Sequence, residues 1–166
     1  MLLKRILFLS VFFRGFRGHN IHHYQIETVL AVMTTQRARK LSLLLACLWA
    51  GLIFYLSHQP GVLVPLLFPL QDKVMHFTAY AILGFLGMGS VRAMAHGYRP
   101  EQAWLVCLLV GLYGISDEFH QSFIPGRTAD VLDVAADVAG GLLGTWLMYA
   151  LVRLAARRRQ PEGTYR

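Results

Sequence analysis

The residues best equipped for chemistry sit in one stretch, Asp117-Glu118-Phe119-His120-Gln121-Ser122-Phe123-Ile124-Pro125-Gly126-Arg127-Thr128-Ala129-Asp130-Val131-Leu132-Asp133. It joins two apolar runs, one ending at Ser116 and one starting at Val131, and Asp137 follows one helical turn after Asp133. A second polar group, Asp72, Lys73 and His76, opens another apolar run. Asp72, His76 and Tyr80 recur every four residues and so share one helix face. An Asp, Lys or Arg at the centre of a membrane helix costs roughly 2.5 kcal/mol or more on insertion scales. Groups this dense must therefore be used, neutralised or both.

Two chemistries fit these residue types. Asp117, Glu118 and His120 can act as general acid and base, with His76 a further base whose tautomer a carboxylate would fix. The same groups can hold a divalent cation. Carboxylates alone suit magnesium or calcium, and adding His76 or His120 suits zinc. Neither an HExxH zinc signature nor a GxSxG nucleophile motif is present. Arg127 can grip a phosphate or carboxylate with parallel hydrogen bonds, which makes it, with Asp72, Lys73, Gln121, Asp133 and Asp137, a candidate substrate-binding residue. Each has a structural alternative. His76 can be an interhelical hydrogen bond, Arg127 can pair with Glu118 or Asp133, the loop carboxylates can order the loop, and Thr128 or Asp130 can cap the following helix. No cofactor is identified from the sequence.

The elements that must position these groups are membrane helices. The chain has 166 residues, 55% hydrophobic and 15% charged, against about 25% charged in soluble domains. The apolar residues are collected into blocks. Four spans are expected, giving an all-α integral membrane protein, a small bundle of four transmembrane helices. They cover residues 41–56, 74–91, 102–116 and 131–152, with the third continuing into the Asp117 stretch to reach the interface. Residues 62–71, broken by Pro65 and Pro69, are too short to cross. Pro125-Gly126 fits a type II turn between spans three and four. Gly84, and Gly140, Gly141 and Gly144 on the face of Asp133 and Asp137, allow helices to approach closely. Cys47 and Cys107 read as small buried hydrophobes with no disulfide between them. Residues 1–32 are expected to be a mis-called or disordered extension, with Met33 a natural start. Residues 33–152 form the membrane domain and 153–166 a basic tail.

The net charge is +7, yet no basic face with interleaved aromatics suggests nucleic acid. Fourteen of the sixteen Lys and Arg residues fall in 1–40, 92–99 and the tail; only Lys73 and Arg127 lie elsewhere. The positive-inside bias then puts both termini in the cytoplasm, in a multi-pass protein of the cytoplasmic (inner) membrane. Six of the nine acidic residues, Asp72, Asp117, Glu118, Asp130, Asp133 and Asp137, fall at or near the extracytoplasmic ends of spans.

The blocks Asp72-Lys73-x-x-His76-Phe77-x-x-Tyr80-x-x-Leu83-Gly84, Asp117-Glu118-Phe119-His120-Gln121-x-Phe123-Ile124-Pro125-Gly126-Arg127 and Asp133-Val134-x-x-Asp137-x-x-Gly140, with Tyr55-Leu56-Ser57-x-Gln59-Pro60 before them, resemble the VanZ-like family across about residues 41–152. The resemblance implies a small multi-span membrane protein of the cell envelope, in a family whose founding member is associated with low-level resistance to teicoplanin. It implies no reaction. At Asp137 the family often has asparagine, so the resemblance does not imply a carboxylate there. Three functions are weighed. The first is an extracytoplasmic-facing enzyme on a lipid-linked or peptidoglycan-related substrate. The second is a small ion-coupled transporter, which would have to oligomerise. The third is a non-catalytic envelope scaffold or binding protein.

Overall fold

A computed structural model describes residues 21–60, 67–91 and 99–158. The chain is all-helical, with four helices and no strand among the described residues: α1 (Ile21–Ser57), α2 (Gln71–Ser90), α3 (Pro100–Gln121) and α4 (Val131–Arg158). It divides into two compact units, Met1–Gln36 and Arg37–Arg166, and the packing of the four helices belongs to the second. Two segments, Gln36–Ser57 and Val131–Leu154, are long and apolar enough to cross a membrane.

Local chemistry explains the boundaries. Helix α1 extends N-terminally well beyond the expected residues 41–56 and runs unbroken through Met33, because residues 21–57 contain no proline and a single glycine, Gly51. Residues 1–20 and half of the proline-containing segment 62–71, residues 62–66, lie outside the described residues. Leu70, with φ 62°, adopts the left-handed conformation that turns the chain into α2. Helix α3 starts with Pro100 at its first position. Its start is closed by the Arg99 backbone N–H donating to Gln102 Oε1 at 2.9 Å. The helix continues to Gln121, carrying Asp117 and Glu118 on its last turns, as the short apolar run requires. Gly126 then takes φ 76°, and Arg127 N donates to Ile124 O at 3.1 Å, the type II turn expected of Pro125-Gly126. Asp130 caps α4 by accepting from Leu132 N at 2.9 Å.

Small residues set the packing of α2 on α4. A Cβ on Gly140 would overlap the Phe77 carbonyl, one on Gly144 would overlap the Ala81 carbonyl, and one on Gly84 would meet the Gly141 carbonyl. The two backbones therefore touch along the seam. Helix α1 is tied on by polar bonds to carbonyls. Ser42 Oγ donates to Leu86 O at 2.9 Å, Trp49 Nε1 donates to Ala79 O at 2.8 Å, and Ala50 O accepts from Tyr113 Oη at 2.7 Å. Tyr80, Leu83, Met88, Val106, Val110 and Tyr149 form the core.

The outward faces are apolar. Leu44, Leu48, Leu105, Leu108, Leu112, Leu143 and Leu147 are all more than half exposed. An apolar surface this extensive is what a lipid environment accommodates and water does not. Cys47 lies on this exposed surface rather than in the core, a correction to its expected burial, while Cys107 is half-buried; both are free.

Candidate functional site

The C-terminal ends of α1 and α3 and the N-terminal ends of α2 and α4 carry the polar residues. Up-and-down connectivity brings these ends together, so groups far apart in sequence meet at one end of the bundle.

Three neighbouring constellations result. In the first, Lys73 Nζ is shared by three carboxylates: Asp72 at 2.9 Å, Asp130 at 2.5 Å and Asp133 at 2.9 Å. Asp72 and Asp130 are solvent-accessible, with side chains 52% and 39% exposed, whereas that of Asp133 is 10% exposed. The Lys73 hydrogen bond holds Asp72 below the ordinary carboxylate range. The same bond, with help from the Leu132 N–H, does so for Asp130. Burial works against the Lys73 ammonium, but its bonds to Asp130, Asp133 and Asp72 outweigh it and raise its pKa.

The second constellation lies one turn deeper. His76 Nδ1 is 3.0 Å from Asp137 Oδ1 and 3.8 Å from Glu118 Oε1. The Asp137 side chain is 0% exposed and that of Glu118 4%. Asp137 reaches this position because Gly114 on α3 leaves room, a Cβ there falling 2.9 Å from Asp137 Oδ2. Glu118 is aimed by its other oxygen, which accepts from Asp130 N at 2.9 Å. Asp137 Oδ2 and Glu118 Oε1 are buried without a hydrogen-bond partner in the protein. Buried polar atoms left so are rare and call for a reason.

The third centres on Asp117. Its Oδ2 accepts from Ser57 Oγ at 2.9 Å and from Gln121 Nε2 at 3.1 Å, while its Oδ1 and the Tyr80 hydroxyl are buried without a hydrogen-bond partner. Arg127 closes the group by donating to Gln59 O, Gln121 Oε1 and Leu56 O at 2.9, 3.1 and 3.0 Å. No carboxylate lies within ion-pair distance of Arg127 among the described residues, so the alternative of pairing with Glu118 or Asp133 is not realised. The counter-charge to Asp133 is Lys73. His120 turns away from Glu118: its Nε2 is 3.2 Å from His58 Nδ1, and its ring stacks on Phe54 and His58.

Of the proposed catalytic residues, the structure thus joins His76 to Glu118, ties Asp117 to Ser57 and Gln121, and gives His120 to an exposed histidine pair. Of the proposed substrate-binding residues, Asp72, Lys73 and Asp133 form one cluster and Gln121 and Arg127 another, while Asp137 joins His76 and Glu118. Sequence reasoning missed Ser57 and His58 as site residues. Their signal was the Tyr55-Leu56-Ser57-x-Gln59-Pro60 block, read only as part of the resemblance. The basic residues Arg39, Arg99 and Arg153 mark the other end, where Arg39 Nε donates to Ser90 O and Arg153 to the Tyr149 hydroxyl.

An uncharacterized protein of Schizosaccharomyces pombe is 32% identical to this chain over 111 residues, covering 66% of the chain and 64% of the relative. The chain thus spans somewhat less than two thirds of that relative's length. No solved structure matches. The VanZ/LLP1 family model matches residues 41–153, a range that takes in all three polar constellations and the glycine seam beneath them. A membrane-associated family is what the leucine-covered exterior calls for, and this chain belongs to it: it is a VanZ-like protein.

Proposed function

We propose that the protein is a four-span enzyme of the cytoplasmic membrane, its termini in the cytoplasm, with a site at its extracytoplasmic end that acts on a lipid-linked substrate. The observation that carries the enzyme reading is the buried His76, Glu118 and Asp137 triad with its unpartnered carboxylate oxygens. A purely structural ion pair saturates its acceptors, whereas a reactive centre leaves them facing the place where a substrate or solvent proton arrives. His76, oriented by Asp137, and Glu118 are the proton-transfer groups.

Arg127 supports an anionic substrate head. A guanidinium has five N–H donors, and the three bonds that it makes all go to neutral acceptors. Its charge stays uncompensated at the polar end of the bundle, where a phosphate or carboxylate would find it. The exposed leucines supply the apolar surroundings that hold the substrate's tail. The orientation rests on charge: acidic groups gather at one end and Arg39, Arg99 and Arg153 at the other, with the basic end in the cytoplasm.

Reporter fusions at Arg99 and Arg127 test the orientation: cytoplasmic at the first, extracytoplasmic at the second. A lipid and wall-precursor profile of a deletion strain, complemented by wild type or by Glu118→Gln, tests the activity. The scaffold reading is favoured by one observation, the convergence of three ion pairs on Lys73, and it predicts that Glu118→Gln complements fully.

A further inference from the structure

We propose that His76, Glu118 and Asp137 bind a divalent transition-metal ion, zinc foremost, through Nδ1 of the histidine and one oxygen of each carboxylate. The inference rests on the enzyme reading for its choice of centre and changes one part of it: an ion takes the place of the proton that His76 and Asp137 hold between them.

The geometry is close to that of a bound ion. One ligand atom from each of the three residues lies within 4.8 Å of the others. Zinc–nitrogen and zinc–oxygen bonds of about 2.0–2.2 Å at tetrahedral angles put neighbouring ligand atoms roughly 3.4 Å apart. The separations of 3.0 Å from His76 Nδ1 to Asp137 Oδ1 and 3.8 Å to Glu118 Oε1 bracket that value. The glycine at 114 leaves Asp137 room beside α3. Glu118 Oε1 faces the imidazole from a side chain 4% exposed and has no other partner. Asp137 Oδ2, on a side chain with no exposure, has none either.

Charge points the same way. Asp72, Asp117, Glu118, Asp130, Asp133 and Asp137 gather at this end with Lys73 and Arg127, a deficit of positive charge at the edge of a low-dielectric region. Lys73 is already shared by three carboxylates, and Arg127 serves carbonyl and amide oxygens. The triad has the imidazole alone. A doubly charged ion supplies what the protein does not. An imidazole with two carboxylates selects zinc or a related transition ion over magnesium, which prefers oxygen and water. Three protein ligands leave a fourth position to water or a substrate oxygen, the arrangement of catalytic rather than structural zinc sites.

The test is the metal content of the full chain, purified in detergent, stripped with chelator and reloaded with zinc. About one tightly held ion per chain is expected for wild type and for the His58→Ala/His120→Ala double variant, which removes the exposed histidine pair. At least a tenfold loss is expected for His76→Ala and for Asp137→Ala. A metal-free wild type after reloading, or full occupancy in His76→Ala, overturns the proposal. Cobalt loading of the wild type decides the case if the variants do not fold. An intense four-coordinate visible spectrum supports the site, and a weak octahedral one overturns it. Metal-stripped protein that keeps full lipid activity would remove the metal and leave the enzyme reading. Stoichiometric zinc, with no lipid change in the Glu118→Gln strain, would do the reverse.

Discussion

Two carboxylate clusters lie a single helical turn apart at the same end of the bundle and are built in opposite ways. Around Lys73, three carboxylates surround one ammonium, two of them open to solvent, and each is matched to a donor. Around His76, two carboxylates are almost wholly buried and keep oxygens without partners. Solvent screens the first cluster and limits what it adds to stability. The second is not screened, so its imperfect satisfaction is expensive. That difference in cost is what the proposed function builds on, assigning the chemistry to the second cluster and the stapling of helix ends to the first.

Both clusters rest on a shared support, and breaking that support has the largest expected effect. Gly140 lies against the Phe77 carbonyl, one residue after His76. Gly140→Val should destabilise the bundle by more than about 3 kcal/mol, the upper end of overpacking costs, and size exclusion in detergent should show little folded protein. A folded, active Gly140→Val variant would mean that the α2–α4 seam does not set the triad.

Removing the ammonium separates the clusters. Lys73→Met leaves Asp72, Asp130 and Asp133 to repel one another. Melting should report a loss of roughly 1–3 kcal/mol, between the values for exposed and buried pairs, with the triad still assembled. An unchanged melting temperature would show that the Lys73 cluster contributes nothing to the fold.

The pH dependence of the Lys73 cluster follows from its shifts. Asp72 and Asp130 lie below their ordinary value of 3.8. Their contribution is present above that pH and lost as pH falls through the lower folded values. Lys73 lies above its ordinary 10.5. Its contribution is complete below that pH and lost as pH rises through the folded value. Wild type minus Lys73→Met should therefore give a melting difference that is flat between these limits and shrinks beyond both. A difference that changes near neutral pH would place a titrating group that this cluster does not contain. The smallest effect belongs to Asp130→Asn. Its side chain is exposed and its backbone N–H, which aims Glu118, is kept; melting should scarcely move.

How much of the architecture was legible in the sequence differs along the chain. The extension of α3 into the Asp117 stretch followed from an apolar run too short to stop at Ser116. The Pro125-Gly126 turn and the Asp130 cap followed from local backbone chemistry. The pairing of His76 with Asp137 did not, because it depends on the register of α2 against α4, fixed by contact of Gly140 and Gly144 with the carbonyls of Phe77 and Ala81. Periodicity shows that His76 shares a face with Asp72 and that Asp137 shares one with Asp133, but not which pair meets. Pairing of Arg127 with Glu118 or Asp133 was its structural alternative because charge is visible in a sequence. Its actual partners include the carbonyl oxygens of Leu56 and Gln59 at the end of α1, which every residue possesses and no pattern marks.

Under the proposed function the triad, and not the Lys73 cluster, carries the activity. The direct measurement is the lipid and wall-precursor profile of a deletion strain expressing, at matched membrane levels, wild type, Glu118→Gln, His76→Gln or Asp130→Asn. The first two substitutions should reproduce the deletion profile, a loss of about a hundredfold or more for a proton-transfer group, while Asp130→Asn restores the wild-type profile. Full complementation by both triad variants would contradict the account and leave the buried carboxylates a structural role.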